Sequence, residues 1–175
     1  MKKLILICSA ALLIFTSCKK TKVDVDFNLN IADIYFTIDT TSVTGDVELA
    51  STTFNSTLQQ ELESHDASLD DVESIEVTGV EFLQLNPSQN FDIVNKAYSY
   101  IVVAGQPDQR IAYKDPVADG LGLLTMDIDQ VNLKTYLAQP TLTLKLTGQL
   151  SDPNLEIDSL KAHLSFKVHA SVSAN

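Results

Sequence analysis

Cysteine and tryptophan are scarce in this chain of 175 residues, which has two cysteines and no tryptophan. Two cysteines cannot supply the disulfide framework on which many small secreted domains depend. Without tryptophan, the usual aromatic platform for sugar rings is limited to five tyrosines. A disulfide scaffold is therefore excluded, and any aromatic stacking on a sugar ring would rely mainly on tyrosine.

Catalytic and metal-binding signatures are also missing from the sequence. No serine lies in a Gly-x-Ser-x-Gly pattern, and there is no phosphate loop, Cys/His metal spacing, basic nucleic-acid patch or internal repeat. His65 falls near the end of a predicted helix, where the dipole favours positive charge. His163 and His169 are six residues apart on a predicted strand, about 20 Å at 3.3 Å per residue. That separation is too large for a shared zinc ion, so solvated strand positions are the simpler interpretation.

The first twenty residues have the organisation of a secretion signal. Lys2 and Lys3 precede an apolar run over residues 4–15, which is too short to cross a bilayer core of about 30 Å. The run ends in Thr16-Ser17-Cys18, which resembles the lipobox of bacterial lipoproteins in the looser form of Bacteroidetes-type envelope proteins. The resemblance implies cleavage before Cys18 and its modification by acyl chains such as palmitate. The mature chain would then have no free thiol for catalysis.

Acidic residues outnumber basic ones, and the formal net charge is −11. Loss of Lys2 and Lys3 leaves 10 basic against 23 acidic residues, a net charge of −13. Such a domain repels nucleic acid and anionic lipid alike. The basic cluster next to Cys18 is either a contact with anionic headgroups or a solvated tether; its members are Lys19, Lys20 and Lys22. In lipoproteins that this chain resembles, acidic residues near the cysteine direct inner-membrane retention or surface export. The lysines match neither signal, so we expect the outer membrane facing the periplasm, with surface exposure left open.

Alternating apolar and polar residues dominate the remainder. We divide the chain into a signal peptide at residues 1–17, a lipidated cysteine and tether at 18–22, and one domain at 23–175. The alternation is clearest over residues 23–31, 141–150 and 160–172, which predicts strands with one buried face. We expect the last two segments to pair with each other. Seven to nine strands with short connections predict an all-β antiparallel sandwich, immunoglobulin-like or jelly-roll-like, with one or two short helices. A closed barrel is the alternative.

Shorter signals place the other elements. A strand pair with a turn at residues 40–46 is expected within residues 34–49, and a strand over 72–85 with a bulge at Gly79. Phe54, Leu58 and Leu62 indicate a helix with a capping box from Ser56 to Gln59. Further expectations are a helical turn at 91–97, a hairpin at 105–108, a loop at 115–120, a strand at 124–128, and a helix at 130–138 with Asp129 as N-cap.

From Leu69 onward, the order of elements resembles uncharacterised envelope lipoproteins of Bacteroidetes type. Four features carry the resemblance: Asp71-Val-Glu-Ser-Ile-Glu-Val77, Phe91-Asp-Ile-Val94, Val131-Asn-Leu-Lys-Thr-Tyr-Leu137 and a long C-terminal strand. They are packing patterns, so the resemblance implies a fold and no activity.

A few side chains are candidates for binding. Asp24 with Asp26, and Asp127 with Asp129, share a strand face that offers ligands to calcium or flanks a sugar bond, or is simply solvated. The loop with Asp115 and Asp119 is a candidate metal loop or a plain turn. Tyr98 and Tyr100 share a face, as a carbohydrate contact or a cross-strand packing pair.

No catalytic residue or cofactor is assigned. We expect a lipid-anchored, non-enzymatic binding or structural accessory module of the cell envelope, with a protein or glycan partner. The alternatives are a carrier of an apolar ligand in a cavity and a carbohydrate-active or carbohydrate-binding module.

Overall fold

Nine antiparallel strands and two short helices form the part of the chain that the computed structural model describes, namely residues 22–37, 45–151 and 159–173. Cys18, the signal segment and most of the tether lie outside these residues. The strands are β1 (Lys22–Phe36), β2 (Gly45–Asn55), β3 (Val72–Gln84), β4 (Val94–Val102), β5 (Gln109–Lys114), β6 (Leu123–Thr125), β7 (Asp127–Ile128), β8 (Thr141–Leu150) and β9 (Leu160–Ser173). The helices are α1 (Leu58–Ser64) and α2 (Lys134–Leu137), with a 3₁₀ turn at Leu69–Asp71.

The strands form two packed sheets. One has the order β1-β9-β3-β6 and the other β2-β8-β4-β5-β7. The alternation predicted from the sequence buries one face of each sheet, so that apolar residues of both sheets meet in a common core. Phe82, Phe91 and Phe166 lie there with at most 1% of their surface exposed. The prediction of an antiparallel β-sandwich is confirmed.

The predicted pairing of the last two strands is wrong. β8 pairs with β2 and β4, whereas β9 pairs with β1 and β3, so the two strands lie in different sheets. Alternation determines which side chains face the core. It does not determine which strand lies alongside, because every strand with one apolar face satisfies the same pattern.

Two strand boundaries also differ from the prediction. β1 continues through Ile34 after an irregularity at Asp33, which has a positive φ of 61°, so residues 34–36 do not begin a new strand. The predicted strand at 124–128 is split at Met126 between β6 in one sheet and β7 in the other. The turn predicted at 40–46 falls mostly outside the described residues. The bulge at Gly79 is confirmed by a register shift between Val77 and Gly79.

The predicted helix after β2 is real but shorter. Phe54 pairs within β2, and the capping box is wrong: Ser56 Oγ donates instead to the carbonyl of Leu137 at 2.8 Å. Gln59 hydrogen-bonds Glu63 along the helix. The helix ends as predicted, with His65 at its C-cap.

The predictions for the second helix and the turn at 91–97 need correction. α2 starts at Lys134, whose backbone N–H donates to Asn132 Oδ1 at 3.0 Å. Asp129 is not an N-cap, since its carboxylate binds Arg110. The turn covers only residues 91–93, because β4 begins at Val94. None of the helices in the described ranges has the length and apolar composition needed to cross a bilayer.

Candidate binding face

Three tyrosines lie together on the outer face of the five-stranded sheet. Tyr98 and Tyr100 are outward residues of β4, as the sequence parity predicts, and Tyr113 of β5 is directly opposite Tyr98 in register. All three are half-buried. Strand pairing also places Arg110 of β5 and Lys145 of β8 on either side of Tyr100. We refer to these five residues as the tyrosine face.

Both cations of the tyrosine face lie over aromatic rings. The guanidinium carbon of Arg110 is 5.2 Å from the ring centre of Tyr113 and 6.0 Å from that of Tyr98. The ammonium of Lys145 is 5.3 Å from the ring centre of Tyr100. A cation at this distance is attracted by the ring quadrupole, by about 0.5–1 kcal/mol at exposed sites. Rings and cations therefore restrict each other's orientation.

Each of these cations is also paired with a carboxylate. Arg110 makes a bidentate contact with Asp129, with Nε to Oδ2 at 2.6 Å and Nη2 to Oδ1 at 3.2 Å. Lys145 donates to Asp108. The hydrogen bonds to Asp129 and Asp108 raise the pKa values of Arg110 and Lys145 above their ordinary values. Both cations therefore stay charged at physiological pH. Together with Asp108 and Asp129, the tyrosine face forms a patch that is close to neutral on an acidic protein.

The composition of the tyrosine face suits recognition. Tyrosine and arginine are enriched among the residues that dominate binding energy at interfaces. Because the cations already restrict the orientation of the tyrosine rings, these rings lose little further rotamer freedom when a partner covers them. A neutral patch also avoids the repulsion that the remaining acidic surface exerts on an anionic partner. The arrangement offers flat apolar area with hydrogen-bonding groups at its edges.

The acidic pairs considered as calcium or sugar sites are divided between separate cations. Asp127 contacts Lys114 at 3.3 Å, while Asp129 contacts Arg110. Asp26 binds Lys167 at 2.9 Å and His169 Nδ1 at 2.7 Å, and both hydrogen bonds lower the pKa of Asp26. Asp24 lies two residues away and is exposed.

The candidate metal loop is held by protein contacts. Asp115 pairs with Lys96 at 2.9 Å, and Asp119 is exposed. In the same loop, the N–H of Gly120 donates to Asp92 Oδ1. Within the described ranges, no group of three His, Cys, Asp or Glu side chains is arranged to hold a metal ion.

The histidines have three different environments. His65 stacks on Phe27 with ring centres 4.3 Å apart, which attaches α1 to β1. His169 binds Asp26, and His163 Nε2 is 3.3 Å from Ser165 Oγ. Cys18, the predicted lipidation site, lies outside the described residues.

Sequence reasoning found two members of the tyrosine face and missed three. Tyr113, Arg110 and Lys145 come from other strands, and their positions depend on the register of the β4–β5 hairpin and on the β4–β8 pairing. The hairpin predicted at residues 105–108 indicates that β4 and β5 pair with each other. It does not indicate which residues lie opposite one another, because the register shifts between Ser99 and Tyr100.

Comparison with known proteins does not assign the chain to a family. No protein-family model matches the chain, and no curated protein matches it. Among solved structures, one titled "Desmodium yellow mottle tymovirus" is 8% identical, covering 88% of this chain and 91% of that chain with a TM-score of 0.28. A similarity at that level supports no conclusion about fold or function.

Proposed function

We propose that this protein is a non-enzymatic binding module of the bacterial cell envelope, anchored by acyl chains on Cys18, that contacts its partner through the tyrosine face. The anchor is inferred from the lipobox-like sequence that ends at Cys18. The observation that carries the binding role is the cluster of three half-buried tyrosines with two cations over their rings.

We infer the orientation of such a module from the position of its first strand. β1 begins at Lys22, four positions after Cys18 and opposite Ser173 in register. This is the end of the sandwich that carries α1, because Phe27 of β1 stacks on His65 at the C-terminus of α1. We refer to it as the α1 end. At the other end of β3, Gln84 hydrogen-bonds the carbonyl of Gly122. An anchor on Cys18 therefore turns the α1 end toward the membrane and the loop at 115–122 away from it. The tyrosine face lies along the side between the two ends.

A carrier of apolar ligands is a weaker candidate. A carrier needs an apolar cavity, and the space between the sheets contains Phe82, Phe91 and Phe166, all nearly fully buried. Native mass spectrometry of the mature protein provides the test, because a copurifying lipid would favour the carrier.

A glycan-active enzyme is also weaker. Its best carboxylate pair, Asp127 and Asp129, is engaged by Lys114 and Arg110. Turnover of an envelope polymer by the purified protein, abolished by one acidic substitution, would favour the enzyme over the binding module.

The binding role can be tested by crosslinking in living cells. A photoreactive phenylalanine derivative replaces Tyr100 on the tyrosine face in one strain, and Gln60 on the exposed side of α1 in a control strain. We expect a discrete crosslinked product from position 100 and none of the same mass from position 60. Mass spectrometry then identifies a protein or glycan partner.

Substitutions refine the same experiment. Tyr98→Ser removes a ring of the face and is expected to reduce the product, whereas Tyr98→Phe keeps the ring and most of the contact area. Thr147→Ser, on β8 directly opposite Tyr98, is the matched control. Equal crosslinking from positions 60 and 100, or no effect of Tyr98→Ser, would contradict the proposed role of the tyrosine face.

A further inference from the structure

A polar groove crosses the outer face of the four-stranded sheet, on the opposite side of the sandwich from the tyrosine face. It has a volume of about 410 Å³, within the range of small-molecule sites. Gly79 forms its floor, and its walls are Asn28, Asn30, Thr78, Glu81, His163 and Ser165. The walls come from three neighbouring strands, β1, β9 and β3. The groove is therefore built on the rigid part of the fold.

The glycine at the floor of the groove lies at the bulge of β3, but neither a left-handed backbone nor a close packing contact requires a residue without a side chain there. Its φ is outside the left-handed region, and a Cβ placed there would lie 3.4 Å from Ser165 Cβ, an ordinary contact. Gly148 in β8 differs, since a Cβ there would lie 2.5 Å from the carbonyl oxygen of Lys96. Glycine within a strand costs about 0.5–1 kcal/mol relative to alanine. Glycine inside a strand marks a bulge, as in β3, or a position where a ligand approaches the backbone closely. The open space above Gly79 leaves room for such a ligand.

The groups around Gly79 are arranged in two rows across the sheet. Asn30, Ser165 and Gly79 align in one row, and His163 lies opposite Glu81 in the next. Ser165 Oγ is 3.3 Å from His163 Nε2. On its outer side, Glu81 accepts a hydrogen bond from Thr125 Oγ1 at 3.4 Å. Amide, hydroxyl, imidazole and carboxylate groups thus converge on a space where a side chain is missing.

This set of groups matches a ligand rich in hydroxyls. Asparagine amides and serine and threonine hydroxyls both donate and accept hydrogen bonds, as a sugar hydroxyl does. The carboxylate of Glu81 accepts only, and it repels an anionic ligand. The lysines beside the groove do not offset this repulsion, because Lys167 is paired with Asp26 and Lys161 with Asp33.

We propose that this groove binds a neutral saccharide unit, which lies over Gly79 and hydrogen-bonds Asn30, Glu81, His163 and Ser165. The inference concerns the four-stranded sheet and does not rest on the tyrosine face. Its failure would leave the crosslinking result at Tyr100 unaffected.

The test uses the full chain with Cys18→Ala, so that the protein is not acylated. Its amide NMR spectrum is recorded with neutral oligosaccharides of glucose, mannose, galactose and N-acetylglucosamine, and with acidic hexuronate oligosaccharides. We expect a neutral oligosaccharide to shift the signals of residues 28–30, 78–81 and 163–165. The hexuronates should bind more weakly.

Two variants examine the geometry. Gly79→Val fills the floor and is expected to abolish the shifts, while Thr143→Val, on the outer face of the other sheet, should leave them unchanged. Asn30→Ala, at an exposed position, provides the same test should Gly79→Val fail to fold. Its affinity is expected to fall roughly three- to tenfold, as for one lost hydrogen bond. Absence of any shift, shifts centred on Tyr98 and Tyr100, stronger binding of hexuronates, or unchanged binding by both groove variants would each overturn the proposal.

Discussion

Two glycines in the middle of strands should respond in opposite ways to the same substitution. Gly148→Ala in β8 and Gly79→Ala in β3 each add one methyl group to a sheet. At Gly148 the new Cβ would lie 2.5 Å from the backbone oxygen of Lys96 and 2.9 Å from Leu49 Cδ1. At Gly79 it would meet only Ser165, at 3.4 Å. A methyl group therefore does not fit at Gly148, whereas it fits at Gly79.

The magnitudes follow from the nature of each neighbour. The oxygen of Lys96 belongs to the backbone of β4, which pairs with β8, and Leu49 is 3% exposed in the core. Neither can move without disturbing the sheet, so overpacking should cost about 1–3 kcal/mol. Gly79→Ala meets no such obstacle. It should stabilise the protein by about 0.4–1 kcal/mol, because alanine restricts the unfolded chain.

Urea denaturation of the full chain with Cys18→Ala, followed by circular dichroism, measures both effects. We expect a lower midpoint for Gly148→Ala and an unchanged or higher midpoint for Gly79→Ala, with the same slope as the parent protein. If Gly79→Ala destabilises as much as Gly148→Ala, Gly79 is required by the fold. The argument that its open space serves a ligand would then fail.

Three further substitutions test other parts of the structure. Ser99 is fully buried and its hydroxyl has no hydrogen-bond partner within the described ranges; Ser99→Ala should raise the free energy of unfolding by about 1 kcal/mol in urea, and a decrease would mean that the hydroxyl has a partner. Phe166→Ala leaves a cavity between the sheets and should cost about 3–5 kcal/mol; a loss under about 1 kcal/mol would contradict its central position. The pKa of Asp26 is lowered by Lys167 and His169, so its contribution to stability is present above the unfolded pKa of 3.8 and disappears as the pH falls through the folded value. Asp26→Asn should therefore lower the melting temperature at pH 7, and this loss should become smaller as the pH falls below 3.8; a loss that does not change with pH would count against the ion pairs.

Most strands could be predicted from the sequence because burial follows the parity of side chains along an extended chain. β8 illustrates this, since Leu142, Leu144 and Leu146 are all 1% exposed. The neighbours of each strand could not be predicted, because they depend on contacts between residues far apart in sequence. β8 and β9 lie in different sheets, although two strands paired in a hairpin would have shown the same alternation.

The binding surfaces were predictable only in part, for a related reason. Parity places Tyr98 and Tyr100 on one face, but Arg110 joins them only because the β4–β5 register shifts beside Tyr100. The bulge at Gly79 was visible in the sequence as a change of parity. Its role as the floor of a groove required the knowledge that Asn30 and Ser165 lie alongside.

The central claim, an acylated envelope module, is tested most directly by labelling cells with a clickable fatty acid and separating membranes from soluble material. The wild-type protein and the Cys18→Ala variant are compared. We expect label on the wild-type protein in the membrane fraction, because two or more acyl chains together give stable attachment. The variant should be unlabelled, and either released or left unprocessed. An unlabelled wild-type protein, or a variant with unchanged label and membrane recovery, would contradict the account.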